Sequence, residues 1–228
     1  MAFDVLDEHE QGELVQKWLR ENALSIATGI VLGLVLLFGW QQWKAHRARH
    51  AADAAIQYQS FVDAVDAKHN DDATKIADAL RKDYSDSAYA VFAAMRSAEL
   101  STASGDLKGA ADDLAWAEDH AGAPALKSLV AIDRARINLA LGDAEAALSI
   151  IDAVPKDSYV TIVGELRGDI LAKLGRTDDA RKAYEDALTH IEPQAPNRSF
   201  VQMKLDDLGA PPPPASTAPA PAPETSGS

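Results

Sequence analysis

Hydrophobic positions along the chain fall into two regimes. From Asn22 to Trp43 there is no charged residue, and the centre of that stretch, Ala23 to Trp40, reads ALSIATGIVLGLVLLFGW. As a helix this centre reaches ~27 Å, close to the ~30 Å of a bilayer's hydrocarbon core. A helix satisfies its own backbone polar groups in lipid, so the pattern predicts a transmembrane helix over 23–43. Trp18 near one end, and Trp40 and Trp43 at the other, sit where amphipathic aromatics mark the two interfaces. A cleaved signal peptide fits less well. Its head would be acidic (Asp4, Asp7, Glu8, Glu10, Glu13), and Lys44, His46, Arg47 and Arg49 follow the apolar run where a small-residue cleavage site should be. Ser25, Gly29 and Gly33 recur every four residues, a strip that lets a second membrane helix approach closely. A homodimer through this face is one reading; the general frequency of Gly in membrane helices is the other.

Beyond Lys44 the apolar residues thin to helical spacing. Residues 45–68 carry Ile56, Phe61, Val62 and Val65 among many alanines, with no Pro or Gly, and Ile76 and Leu80 mark a further helix from about Asp72 to Lys82. Strand signals are almost absent, so the fold class is all-α. Three later segments resemble one another: YAVFAAMRSAELSTASGDLKGAADDLAWAEDHAGAP, LKSLVAIDRARINLALGDAEAALSIIDAVP and YVTIVGELRGDILAKLGRTDDARKAYEDALTHIEP. Each runs helix, turn glycine (Gly105, Gly142, Gly175), helix, and a proline stop, and the glycines stand 37 and 33 residues apart. That is close to the period of tetratricopeptide (TPR) repeats. In the third segment Gly168, Ala180, Tyr184 and Ala187 hold the places where the two helices of such a repeat touch. Ala135, Ala147, Ile151 and Val154 stand there in the second, and Ala98, Ala110, Leu114 and Ala117 in the first. Segment 45–82 would be a fourth, degenerate hairpin; the competing reading is a plain helical bundle.

Asn197 reads as an N-cap, and Ser199 to Leu208 as a short amphipathic helix with Val201, Leu205 and Leu208 aligned to cover the last repeat. From Gly209 the composition turns to PPPPASTAPAPAPETSGS, which predicts a disordered tail of polyproline character. The expected organisation is an acidic segment 1–22, a transmembrane helix 23–43, a TPR-like helical-hairpin solenoid 44–208 and a Pro/Ala-rich tail 209–228.

Charge narrows the partners. The formal net charge is -13, which gives nucleic-acid phosphates nothing to bind, so no nucleic-acid partner is expected. The absence of cysteine removes thiolate nucleophiles, disulfides and cysteine–metal sites. No Walker A loop, GxSxG elbow, HExxH or Rossmann fingerprint occurs. His46, His50 and Asp53 share a helix spacing that could be drawn as a metal site, but Arg47 and Arg49 among them favour a basic juxtamembrane turn against lipid headgroups. Asp71–Asp72, Asp112–Asp113 and Asp178–Asp179 read as dipole-offsetting acids at the starts of second helices. No catalytic residue, metal or cofactor is expected. Positive-inside counting sets Lys17 and Arg20 against Lys44, Arg47 and Arg49, a one-residue difference that leaves sidedness open.

What remains is surface. In a TPR array the first helix of each repeat lines a groove, and that geometry nominates Phe92, Met95 and Glu99, then Leu129, Ile132 and Arg136, then Ile162, Glu165 and Asp169. The i, i+3, i+7 spacing places each trio on one helix face, where the apolar members serve either a partner or the core.

The opening stretch DEHEQGELVQKWLRENALSIATGIVLGL, continuing into GWQQWKAHR, resembles the start of the YfgM family, ancillary subunits of the SecYEG translocon. The resemblance covers about residues 4–208; the proline tail lies outside it. It implies a cytoplasmic N-terminus, a periplasmic repeat domain anchored in the inner membrane, and association with the translocon and a PpiD-like chaperone in passing on emerging polypeptides. It implies no catalytic residues. Two other readings stay beside it: a TPR scaffold of another envelope complex, and a regulator that sequesters a signalling protein.

Overall fold

The computed structural model describes residues 8–209; the first seven residues and the Pro/Ala-rich stretch 210–228, with its expected disorder, lie outside them. Among the described residues there are helices and no strands. Helix α1 runs from Glu8 to Asp66. Its most apolar 18-residue window has a mean hydropathy of 2.2, and none of it is buried. This helix is long and apolar enough to cross a membrane, with Leu24, Leu36 and Phe38 82%, 73% and 66% exposed. The chain divides into two compact units between Ile56 and Gln57, a border inside α1. The sequence-based border at 43/44 also falls within α1.

The second unit continues from the last turns of α1 into α2 (Asn70–Asp83), α3 (Ala88–Ala103), α4 (Leu107–His120), α5 (Pro124–Ala140), α6 (Ala144–Asp152), α7 (Val160–Lys173), α8 (Thr177–His190) and α9 (Arg198–Asp207). From α2 onward each helix packs on the next in chain order, and α5 also meets α7, the side-by-side stacking of first helices that a repeat array requires. The three hairpins are α3–α4, α5–α6 and α7–α8.

Their turns share one device. Gly105, Gly142 and Gly175 adopt φ of +85°, +88° and +72°. In each, two backbone bonds close the helix end: Gly105 N–H to Thr102 O and Asp106 N–H to Ser101 O, then Gly142 to Leu139 with Asp143 to Asn138, then Gly175 to Ala172 with Arg176 to Leu171. This is the Schellman pattern, which needs a left-handed residue and therefore selects glycine. The next residue then starts the following helix. Asp106 accepts from Gly109 N–H at 2.9 Å and Asp143 from Ala146 N–H at 3.1 Å, caps worth about 1 kcal/mol each.

The same turn ends α1, but with Lys68 in the glycine position at φ +59°. Lys68 N–H reaches Val65 O and His69 N–H reaches Ala64 O, both at 2.9 Å. The expected degenerate hairpin exists, therefore, and its turn glycine is missing. Phe61 and Val65 from α1 are buried with Ala73, Ala77 and Leu80 from α2 and Ala90 and Ala93 from α3.

All twelve positions assigned to helix–helix touching are buried. Leu114 and Ile151, at 3% and 1% exposure, face repeats whose first helices carry Ala98 and Ala135. In the third hairpin the opposing residue is the larger Tyr184, and the first helix gives way to Gly168. A Cβ on Gly168 would lie 2.3 Å from Tyr184 Cε1. The repeat conserves volume across the contact rather than residue type.

Two readings need correction. Asp112 and Asp113 are not at a helix start, since α4 begins at Leu107; Asp113 lies mid-helix and pairs with Arg81 at 2.6 Å. Asn197 holds the N-cap position of α9, but its side chain makes no cap hydrogen bond, because its backbone is already helical at φ -80° and ψ -12°. The covering role of α9 stands: Val201 is fully buried in a cluster with Leu171, Tyr184 and Leu188, and Leu205 and Leu208 pack against it.

Candidate interaction surface

In the second unit, first helices present a row of side chains that the second helices do not cover. Tyr58, Val62, Val65 and Asp66 from α1 and Phe92, Met95, Arg96 and Glu99 from α3 line a groove of about 360 Å³. A second groove of about 360 Å³ is lined by Met95, Ala98, Glu99, Thr102 and Ala103 of α3, Leu114 of α4, and Asp133, Arg136 and Ile137 of α5. The two share Met95 and Glu99. Together they form one depression with an aromatic end and a charged end.

The aromatic end is a set of packed rings. Tyr58 lies 5.7 Å from Tyr89 and 6.3 Å from Phe92 between centroids, and Tyr89 meets Phe92 edge-on at 6.5 Å. Such pairs hold each other's orientation, which fixes the wall without covering it; Phe92 is left 39% exposed. At the charged end Arg136 pairs with Asp133 at 2.8 Å, while Arg96, on the aromatic side, pairs with the shared Glu99. Burial pushes the Asp133 carboxyl above the ordinary carboxylate range, Arg136 pulls it back, and Glu99 adds to the rise.

The nominated trios are placed differently by the fold. Phe92, Met95 and Glu99 all line the depression, and so does Arg136. Leu129 is half-buried. Ile132 does not belong to an accessible face: it is fully buried in a core cluster with Ala135, Ile151 and Leu166, because the stacked hairpin on its far side claims it. In the third trio Ile162 is 37% exposed, but Glu165 and Asp169 are engaged. Lys204 of α9 reaches both, at 2.7 Å each, and Tyr184 donates its hydroxyl to Asp169 at 2.7 Å. The groove side of the third repeat is thus held by the covering helix. Burial lowers the Lys204 ammonium, but its hydrogen bonds to Asp169 and Glu165 and their charges more than reverse this, and its pKa is raised.

Sequence reasoning missed Tyr58, Val62, Tyr89, Asp133 and Ile137. Tyr89 stands three residues before Phe92 and Tyr58 four before Val62, so helical spacing carried a signal for both. In the first unit, Ser25, Gly29 and Gly33 lie on the surface of α1, and a Cβ on either glycine would meet nothing within 4 Å. His46 and His50 stack at 6.5 Å between centroids, and among the described residues no group of three His, Cys, Asp or Glu is gathered to hold a metal.

Stacked hairpins with Schellman turns and an uncovered first-helix face, behind a helix long and apolar enough to cross a bilayer, define a helical-repeat scaffold. The chain belongs to the tetratricopeptide repeat-like domain family, whose model matches residues 16–210. It is similar to proteins named ancillary SecYEG translocon subunit. One from Escherichia coli (strain K12) is 28% identical over 203 residues, 89% of this chain and 97% of that protein. Another from Haemophilus influenzae is 29% identical over 211 residues, 91% of this chain and all of that protein. A third, from Aggregatibacter actinomycetemcomitans, is 24% identical over 208 residues, again all of that protein. These relatives bear out the resemblance to the YfgM family drawn from the opening stretch.

Proposed function

We propose that this chain is a membrane-anchored adaptor of the SecYEG translocon, whose first-helix depression receives a segment of a translocating polypeptide or of a PpiD-like chaperone. The observation that carries the reading is the joined pair of grooves over α1, α3 and α5, with an aromatic wall at one end and paired charges at the other. An apolar floor rimmed by a few polar groups is the usual make-up of a segment-binding site. The relatives' name, ancillary SecYEG translocon subunit, suggests the translocon as the partner. In this reading α1 lies in the inner membrane, the N-terminus is cytoplasmic and the repeats are periplasmic. The strip of Ser25, Gly29 and Gly33 is then the face offered to another membrane helix, of the translocon or of a second copy.

The test is photocrosslinking in native membranes from residues 95 and 136. Recovery of translocon subunits, nascent chains or a periplasmic chaperone supports the adaptor; recovery of unrelated envelope assemblies only would replace it with the scaffold reading. An alkaline phosphatase fusion at the C-terminus is expected to be active, and an inactive, stable fusion would overturn the orientation.

A further inference from the structure

Just past the apolar run, α1 gathers cations in a chain that is otherwise strongly acidic. Lys44, Arg47 and Arg49 lie within six residues, and no acidic residue occurs between Glu21 and Asp53. All three are exposed, and none has an acidic partner among the described residues. At ~100° per residue, Trp40, Trp43, Lys44, Arg47 and His50 fall within an arc of ~120°, while Arg49 points to the opposite side. On that face the two indoles approach at 5.2 Å, and the Arg47 guanidinium lies over the Trp43 ring at 4.9 Å from its centroid.

This arrangement has a direct consequence. A guanidinium stacked on an indole keeps its N–H edges free, in the fork that matches two oxygens of a phosphodiester. Stacking also limits the rotamers Arg47 has to give up on binding. Lys44 adds a second cation on the same side. Both indoles carry an N–H donor and, with α1 across a bilayer, would stand at the depth where headgroups begin.

We propose that the Trp40–Trp43–Lys44–Arg47 face is a docking site for the phosphate of an anionic phospholipid headgroup. Its occupant is a lipid rather than a soluble phosphate, because the site continues directly from the apolar surface that acyl chains would cover. Charge complementarity favours an anionic over a zwitterionic lipid, whose own ammonium offsets the attraction. The site depends on neither the translocon nor the orientation of the protein.

The test uses the full chain carrying Trp18→Phe and Trp116→Phe, so that Trp40 and Trp43 are the remaining tryptophans and report from the membrane helix. It is reconstituted in phosphatidylcholine vesicles containing a minority of phosphatidylglycerol, with bromine placed on one lipid or the other. Fluorescence quenching per brominated molecule is expected to be at least about threefold stronger from phosphatidylglycerol, given the usual gain per basic residue at a membrane surface. Lys44→Gln with Arg47→Gln should bring the two lipids to parity, while Arg49→Gln on the far side keeps most of the preference. Equal quenching by both lipids in the parent would overturn the proposal. So would an equal loss in the Arg49 and the Lys44/Arg47 variants, since that marks attraction to the whole leaflet rather than to this face.

Discussion

Replacing Gly168 by alanine tests the volume exchange across the third hairpin most directly. Alanine in mid-helix ordinarily gains about 1 kcal/mol over glycine. Here the new Cβ would stand 2.3, 2.5 and 2.8 Å from three carbons of the Tyr184 ring. The ring has little freedom to yield: Tyr184 is 3% exposed, packed among Leu171, Ala180 and Leu188, and its hydroxyl is tied to Asp169 at 2.7 Å. Overpacking of this kind costs about 1–3 kcal/mol, and displacing the ring endangers a hydrogen bond worth about 1 more. The net expectation is destabilisation by about 2 kcal/mol, or a fall of roughly 4–8 °C in Tm for a domain of this size. Thermal unfolding of the full chain in detergent, followed by far-UV circular dichroism, measures it. Gly122→Ala, where a Cβ meets nothing within 4 Å, is the neutral control. Adding Tyr184→Leu to Gly168→Ala reproduces the Ala–Leu pairing of the first hairpin and should restore a good part of the loss. The reasoning fails if Gly168→Ala is as stable as the parent, or if the losses of the two substitutions simply add.

Other expectations follow from the same geometry. Lys68→Gly relieves a left-handed residue at φ +59° and should stabilise the chain by about 0.5–1 kcal/mol, read from the same melts. Lys204→Met removes the cation between Glu165 and Asp169 and should loosen α9, seen as faster amide exchange over 198–207. Because the folded pKa of Lys204 is raised, its contribution is complete below the ordinary lysine value and fades as pH rises through the folded one. The stability gap between parent and Lys204→Met should therefore close in strong alkali, and a gap unchanged by pH would contradict the ion-pair account. Phe92→Ala and Arg136→Gln should cut crosslinking to the adaptor's partner several-fold while the repeats stay folded by circular dichroism, with a modest fall in Tm from the lost ring contacts and the lost Asp133 pair. Gly29→Leu with Gly33→Leu should reduce co-purification with any partner membrane helix and leave the repeats folded.

The chain's own pattern determined the helices. An uninterrupted apolar run, alanine-rich helical spacing, and a glycine followed by a capping aspartate in two of the turns are local signals. Each acts through backbone chemistry that needs no distant partner. The twelve small and apolar touching positions were also legible, because a repeat writes the same contact three times. The fourth hairpin was legible from its apolar spacing, but its left-handed residue was not, because Lys68 carries that conformation without the glycine that announces it in the other turns.

The face that meets a partner was decided by packing. Ile132 and Met95 each stand three residues before the touching alanine of their helix, yet Ile132 is sealed by the next hairpin and Met95 lines the open depression. Glu165 and Asp169 read as free groove acids until α9, over thirty residues later, brings Lys204 onto them. Helical periodicity reports which residues share a side of one helix. Only the stacking of several helices decides which side remains uncovered, because that depends on neighbours distant in the chain.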